Sequence, residues 1–135
     1  RGTPKTMQQN TAYRDVFSEV DRYLTARAAF AEQRGIKKEK IFVDPGIGFG
    51  KDAAGNAALI HRCGQLCGGK YPVVMALSRK SFIGDVTGRA TPERLAGTIA
   101  ANLVAVQNGA KIIRAHDVKE AVDSLKVLRY ISLHT

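Results

Sequence analysis

Apolar positions fall into two rhythms along this chain. Over residues 10–34 they recur every three or four: Tyr13, Val16, Phe17, Val20, Leu24, Ala28 and Ala31. That is the spacing of one buried helical face, and it predicts a long helix. Gly35 follows, a residue that tolerates the positive φ of a helix C′ position. Three short runs are continuous instead: Ile41-Phe42-Val43, Pro72-Val73-Val74-Met75-Ala76-Leu77 and Ile112-Ile113. Bounded by Gly, Pro and polar clusters, they read as strands over 41–44, 73–77 and 111–115. The intervening segments predict a helix over 57–68, a short helical turn over 79–86, a helix from Thr91-Pro92 to Asn108-Gly109, and a last helix over 118–131. Thr91-Pro92 suggests a hydroxyl cap with proline at the first helical position. Asp117 and Glu120 have capping-box spacing, with Asp in place of Ser or Thr.

The order is therefore a helix followed by three strand–helix pairs, which argues for an α/β fold with a parallel sheet covered by helices. A free sheet of three parallel strands would leave both edges unpaired, so further strands are expected from elsewhere. Each strand runs into charge: Val43 into Asp44, Leu77 into Ser78-Arg79-Lys80-Ser81, and Ile113 into Arg114-Ala115-His116-Asp117. Asp44, Lys80 and Arg114 lie 36 and 34 residues apart, the length of one strand, loop, helix and return. Parallel strands in such units point the same way, so all three charged ends open on one rim. Ligands bind at that rim in α/β sheets.

Composition narrows the partners. With 135 residues and 44% hydrophobic content, the chain is long and apolar enough to bury a core and is not a disordered polymer. No apolar stretch reaches membrane-spanning length, so no membrane association is expected. The net charge of +9 fits a solvated basic surface or a rim that attracts anions. Lys37, Lys38 and Lys40 cluster in a loop without interleaved aromatics, so no nucleic-acid partner is expected. The opening Arg1-Gly2-Thr3-Pro4 lacks an initiator Met and an apolar leader and reads as the interior of a longer protein. Cys63 and Cys67 stand four apart on the expected helix with His61 just before them. Buried thiols are the simpler reading; a metal site would need further ligands. Few cysteines and no export signal point to the cytoplasm.

Two alternatives for the glycine-rich segment Asp44-Pro45-Gly46-Ile47-Gly48-Phe49-Gly50-Lys51 fail on spacing. A phosphate-binding P-loop needs a glycine where Pro45 stands and Ser or Thr where Asp52 stands. A dinucleotide fingerprint needs its third glycine one residue later. What remains is either a tight turn capped by Asp44 or a backbone shaped for close approach to a ligand. Ser78-Arg79-Lys80-Ser81 is either a solvated turn with serine caps or a set of donors to an anion or ring carbonyls. Arg114 and His116, two apart in extended chain, share a face and suit phosphate. The competing reading of Arg114 is an ion pair with Asp117.

Taken together, Arg1-Gly2-Thr3-Pro4-Lys5-Thr6-Met7, Asp44 to Lys51, Ser78-Arg79-Lys80-Ser81 and Arg114-Ala115-His116-Asp117-Val118 resemble the dihydropteroate synthases, in order and over nearly the whole chain. The resemblance implies the C-terminal half of a (β/α)8 TIM barrel, residues 1–135 forming one partial pterin-binding domain that starts just after the fifth strand. A full barrel takes about 250 residues. It further implies a transferase of folate biosynthesis. The reaction joins 6-hydroxymethyl-7,8-dihydropterin pyrophosphate to p-aminobenzoate, giving 7,8-dihydropteroate and pyrophosphate. By resemblance, Asp44 binds the amino-pyrimidine edge of the pterin and Lys80 its ring acceptors. Gly48 and Phe49 line the pterin and p-aminobenzoate side. Ser81 holds the p-aminobenzoate carboxylate with support from Arg79, and Arg114 and His116 hold the pyrophosphate. Lys80, Arg114 and His116 are the residues nearest the chemistry. Mg²⁺ is expected with its ligand in the missing N-terminal half. The family also implies a homodimer in the full-length protein and a sulfonamide target. Ala76 departs from the family's glycine. The isolated chain is expected to be inactive, since other pterin ligands and two loops belong to the first four strands. The alternative is a non-catalytic or methyltransferase-type pterin-binding half-barrel.

Overall fold

The computed structural model describes residues 3–7, 12 and 14–135. The first helix, α1 (Val16–Gln33), begins where Asp15 caps it: the Asp15 carboxylate accepts from the Ser18 amide at 3.2 Å and from the Ser18 hydroxyl at 2.6 Å. That cap sets the start at Val16, later than the hydrophobic spacing implies; Tyr13, the first of the expected apolar positions, lies outside the described residues. Phe17, Val20 and Ala28 are buried, with Val16, Leu24 and Ala31 packed beside them. Gly35 takes φ 90° just past the helix.

Of the three expected strands, the first is reduced to one parallel bridge, Val43 to Val73. The Val43 amide donates to Pro72 O at 3.0 Å, and the Val74 amide donates to Val43 O at 2.8 Å. Proline explains the shortfall. The next rungs of a parallel ladder would need the amides of residues 45 and 72, and both are proline. The other two strands, β1 (Val74–Ala76) and β2 (Ile112–Arg114), pair in parallel, Val74 opposite Ile112 and Ala76 opposite Arg114. The staves thus lie in chain order, and all end at the same rim.

Alternation splits this sheet. Ile41, Val43, Val73, Met75 and Leu77 join Phe17, Leu59, Leu66 and Ala105 in one buried cluster under the helices. Phe42, Asp44, Val74, Ala76, Ile112 and Arg114 point to the other face and are exposed or half-buried.

After the first stave, α2 (Ala53–His61) is capped by Asp52, whose carboxylate accepts from Gly55 at 2.7 Å. The helix starts and ends earlier than expected. From Cys63 to Gly69 the chain makes 3-10 turns, with Cys67 at φ 53°, so Cys63 and Cys67 do not share one α-helix. Tertiary contacts draw the segment off the helical path. The Gly64 amide donates to Asn108 O at 3.0 Å, and the Cys67 amide to Asp21 at 2.6 Å. A Cβ at Gly64 would collide with the Asn108 carbonyl oxygen. Both thiols are buried, and burial pushes each one's pKa up. This segment leads into the start of β1, at the end of the sheet away from the charged rim.

The remaining helices are α3 (Ser81–Thr87), α4 (Leu95–Gln107) and α5 (Val118–Leu133). The expected Thr91 cap gives only a short 3-10 turn, Thr91–Glu93, before α4. The capping box at α5 does not form. Asp117 sits at the N-cap position, but its carboxylate is engaged by Arg79 instead. Among the described residues, no helix is long and apolar enough to cross a membrane.

Candidate active site

Three loops build the rim. In the first, Asp44 Oδ1 accepts from the Gly46 amide at 2.8 Å, which turns the chain directly after the stave. Lys51 folds back and donates to Gly46 O at 2.9 Å and Phe49 O at 2.8 Å, closing the loop on itself. Asn56, buried in α2, accepts from the Gly48 amide at 3.0 Å. Gly48 has φ 82°, and a Cβ there would stand 3.1 Å from Lys80 Cδ. Glycine is required on both counts, by backbone sign and by the close approach of the lysine.

Lys80, from the second loop, crosses to the first. Its Nζ donates to Ile47 O at 2.7 Å and stands 4.1 Å from the Phe49 ring centroid, within cation–π reach. Burial lowers its pKa; the Asp44 carboxylate opposes that, and the Arg114 guanidinium adds to it. Burial likewise lowers the Lys51 pKa, opposed by Asp44 and reinforced by Lys80. One carboxylate and a row of cations therefore feel one another across this rim.

The third loop reaches the second through Ser78, a buried residue at the end of β1. Its Oγ accepts from the His116 amide at 3.2 Å and lies 2.9 Å from His116 Nδ1. Ala76, Ser78, Lys80, Arg114, Ala115 and His116 enclose a small pocket of about 100 Å³. Lys80 and Arg114 make it cationic, and it fits an anionic group.

Of the sequence-derived candidates, Lys80, Arg114 and His116 share that pocket, while Gly48 and Phe49 lie against Lys80. Asp44 is within electrostatic reach of Lys80 but lines a different cavity, of about 590 Å³, between its own loop and α1. Ser81 is exposed at the start of α3. Arg79 is turned to Asp117, with Nη2 to Oδ1 at 2.8 Å and Nε to Oδ2 at 3.3 Å. It is thus Arg79 that holds Asp117 and not Arg114, the partner weighed from sequence. Ser78 and Lys51 entered the sequence reading only as members of their motifs, with no contact of their own assigned, and Asn56 did not enter it at all. The available signal for Asn56 was an amide in the apolar stretch 53–60, and for Ser78 a hydroxyl directly after a buried strand.

Parallel strands under covering helices, delivering cations and a carboxylate to their C-terminal rim, define part of a (β/α)8 barrel with a ligand-binding mouth. The family model described as pterin binding enzyme matches residues 1–116, and the chain belongs to that family. Over 128 residues it is 44% identical to the dihydropteroate synthase of Escherichia coli K12, a match that covers 95% of this chain and 45% of that protein. Among solved structures it is similar to the Xanthomonas albilineans dihydropteroate synthase in complex with 7,8-dihydropteroate, at TM-score 0.87 and 44% identity over 90% of this chain and 47% of that one. It is similar too to the Stenotrophomonas maltophilia enzyme with active-site-bound imidazole, at TM-score 0.93 and 41% identity over 98% of this chain and 50% of that one. The chain spans about half the length of the relatives it matches.

Proposed function

We propose that this chain supplies one half of a dihydropteroate synthase active site. The observation that carries the reading is the convergence of Lys80, Arg114 and His116 on one pocket, with Asp44 close enough to act on Lys80. In this reading the Asp44 carboxylate takes two parallel N–H groups of the amino-pyrimidine edge, the pairing that two carboxylate oxygens suit. Lys80 donates to ring acceptors, Phe49 flanks the ring, and Gly48 lets the backbone come close. Arg114 and His116 hold the pyrophosphate. Ser81 and Phe49 lie on the p-aminobenzoate side. Arg79 acts there indirectly, by tying its own loop to the next one through Asp117.

The bond between the pterin methylene carbon and the pyrophosphate oxygen breaks, and the oxygen keeps the electron pair. Arg114 and His116 meet that growing charge where it develops. The p-aminobenzoate nitrogen then forms the new C–N bond and releases a proton. No covalent enzyme intermediate is required, which agrees with thiols placed away from the rim. The expected Mg²⁺ takes its protein ligand from outside this chain.

The homodimer and the cytoplasmic setting belong to the same proposal. Val118 and Val122, one turn apart, are exposed apolar residues of α5, available surface for a second copy. The test is calorimetry on the full-length protein. Asp44→Asn should weaken binding of 7,8-dihydropteroate, while Arg114→Ala should mainly weaken pyrophosphate. Unchanged pyrophosphate binding in Arg114→Ala would remove the anion role.

A further inference from the structure

Arg79 has φ 60°, and only Cys67 joins it among the described non-glycine residues with positive φ. An ordinary side chain disfavours that backbone, which persists only where its surroundings over-determine it. Here both backbone groups are held. The Arg79 amide donates to Thr98 Oγ1 at 3.1 Å, and the Arg79 carbonyl accepts from Arg94 Nη1 at 3.0 Å. Thr98 is buried at 2% exposure. Arg94 is itself anchored, its Nε donating to Arg89 O at 3.0 Å. The guanidinium lies against Gly84 of α3, where a Cβ would collide with it. A glycine inside a short helix, otherwise unfavourable, thus has a reason: it opens the way for Arg94 to reach the Arg79 carbonyl.

The residues on either side of Arg79 are both site groups. Ser78 contacts His116, and Lys80 contacts Ile47 O. A change of φ at Arg79 would re-aim one relative to the other, because they leave the chain on opposite sides of that torsion.

We propose that Thr98 and Arg94 are positioning residues. They hold Arg79 in the left-handed conformation and thereby fix Ser78 and Lys80 in the register the pocket needs. The binding arm of the test rests on the pterin reading above. In the full-length protein, Thr98→Val should weaken 7,8-dihydropteroate binding by about tenfold, the weight of one buried hydrogen bond. Thr98→Ser, which keeps the hydroxyl, should restore it. Glycine adopts positive φ unaided, so in an Arg79→Gly background the same Thr98→Val change should cost less than about threefold. Equal losses in both backgrounds, or a Thr98→Val protein that binds as the parent does, would overturn the proposal. If Thr98→Val does not fold, Arg94→Ala carries the same comparison. A ligand-independent arm is the crystal structure of the variant. Arg79 should leave the left-handed region and Lys80 Nζ should part from Ile47 O; an unchanged Arg79 with Lys80 in place would overturn the idea. A parent protein that does not bind dihydropteroate strikes the pterin reading, and the crystallographic arm still decides this one.

Discussion

Replacing Gly48 by alanine should do two separable kinds of damage. The first is to the backbone. Gly48 has φ 82°, and a left-handed conformation costs a residue with a Cβ about 1–2 kcal/mol. The second is to the lysine. The new Cβ would stand 3.1 Å from Lys80 Cδ, closer than ordinary carbon contact, so the side chain must shift by a few tenths of an ångström. That shift strains the 2.7 Å bond from Nζ to Ile47 O and the placement over Phe49. Gly35 is the matched control. It has φ 90° and nothing within 4 Å of its ideal Cβ, so Gly35→Ala carries the backbone cost alone. Denaturant unfolding of the full-length protein should show both variants destabilised by about 1–2 kcal/mol, with Gly48→Ala the more affected. Calorimetry with 7,8-dihydropteroate should show weakened binding for Gly48→Ala only. Equal destabilisation together with parental affinity in Gly48→Ala would refute the claim that this glycine makes room for Lys80.

Burial lowers the Lys80 pKa below the ordinary value of 10.5, so between the folded and unfolded values the unfolded chain binds more protons. Stability attributable to Lys80 should therefore rise with pH through that window; the difference in unfolding free energy between parent and Lys80→Met, measured from neutral pH to above 10.5, should grow more favourable to the parent, and a flat or falling difference would contradict it. Asn102 is 1% exposed and, among the described residues, neither its amide nitrogen nor its oxygen has a partner. Asn102→Leu keeps the volume and removes the desolvated amide, so thermal unfolding should shift upward by the equivalent of about 1–3 kcal/mol; a lower midpoint would mean that the amide is satisfied in solution.

The helix–strand order, the shared direction of the staves and the grouping of Lys80, Arg114 and His116 were legible because hydrophobic rhythm and strand-end charge are local properties of the chain. What escaped was set by tertiary contact. Asp117 looked like a helix cap from its spacing to Glu120, yet a guanidinium from another loop holds its carboxylate. The Cys63–Gly69 segment looked helical, yet Gly64 is drawn against Asn108. The first strand was expected over 41–44; the information that shortens it to one bridge, Pro45 and Pro72, was in view, but it acts only once the pairing register is known. Asp15 and Asp52, which cap α1 and α2, mark boundaries that periodicity alone placed elsewhere.

The single bridge at Val43 also sets how the rim behaves mechanically. Fastened to its neighbour at one rung, the stave that presents Asp44 can detach without unzipping β1 from β2, so the carboxylate and the cationic pocket are coupled through side chains more than through shared backbone. Amide hydrogen exchange should then be faster at Val43, and at Val74 whose amide donates to Val43 O, than within β2, and sequence change in the 44–51 loop should be absorbed locally while the Lys80 and Arg114 scaffold keeps its shape.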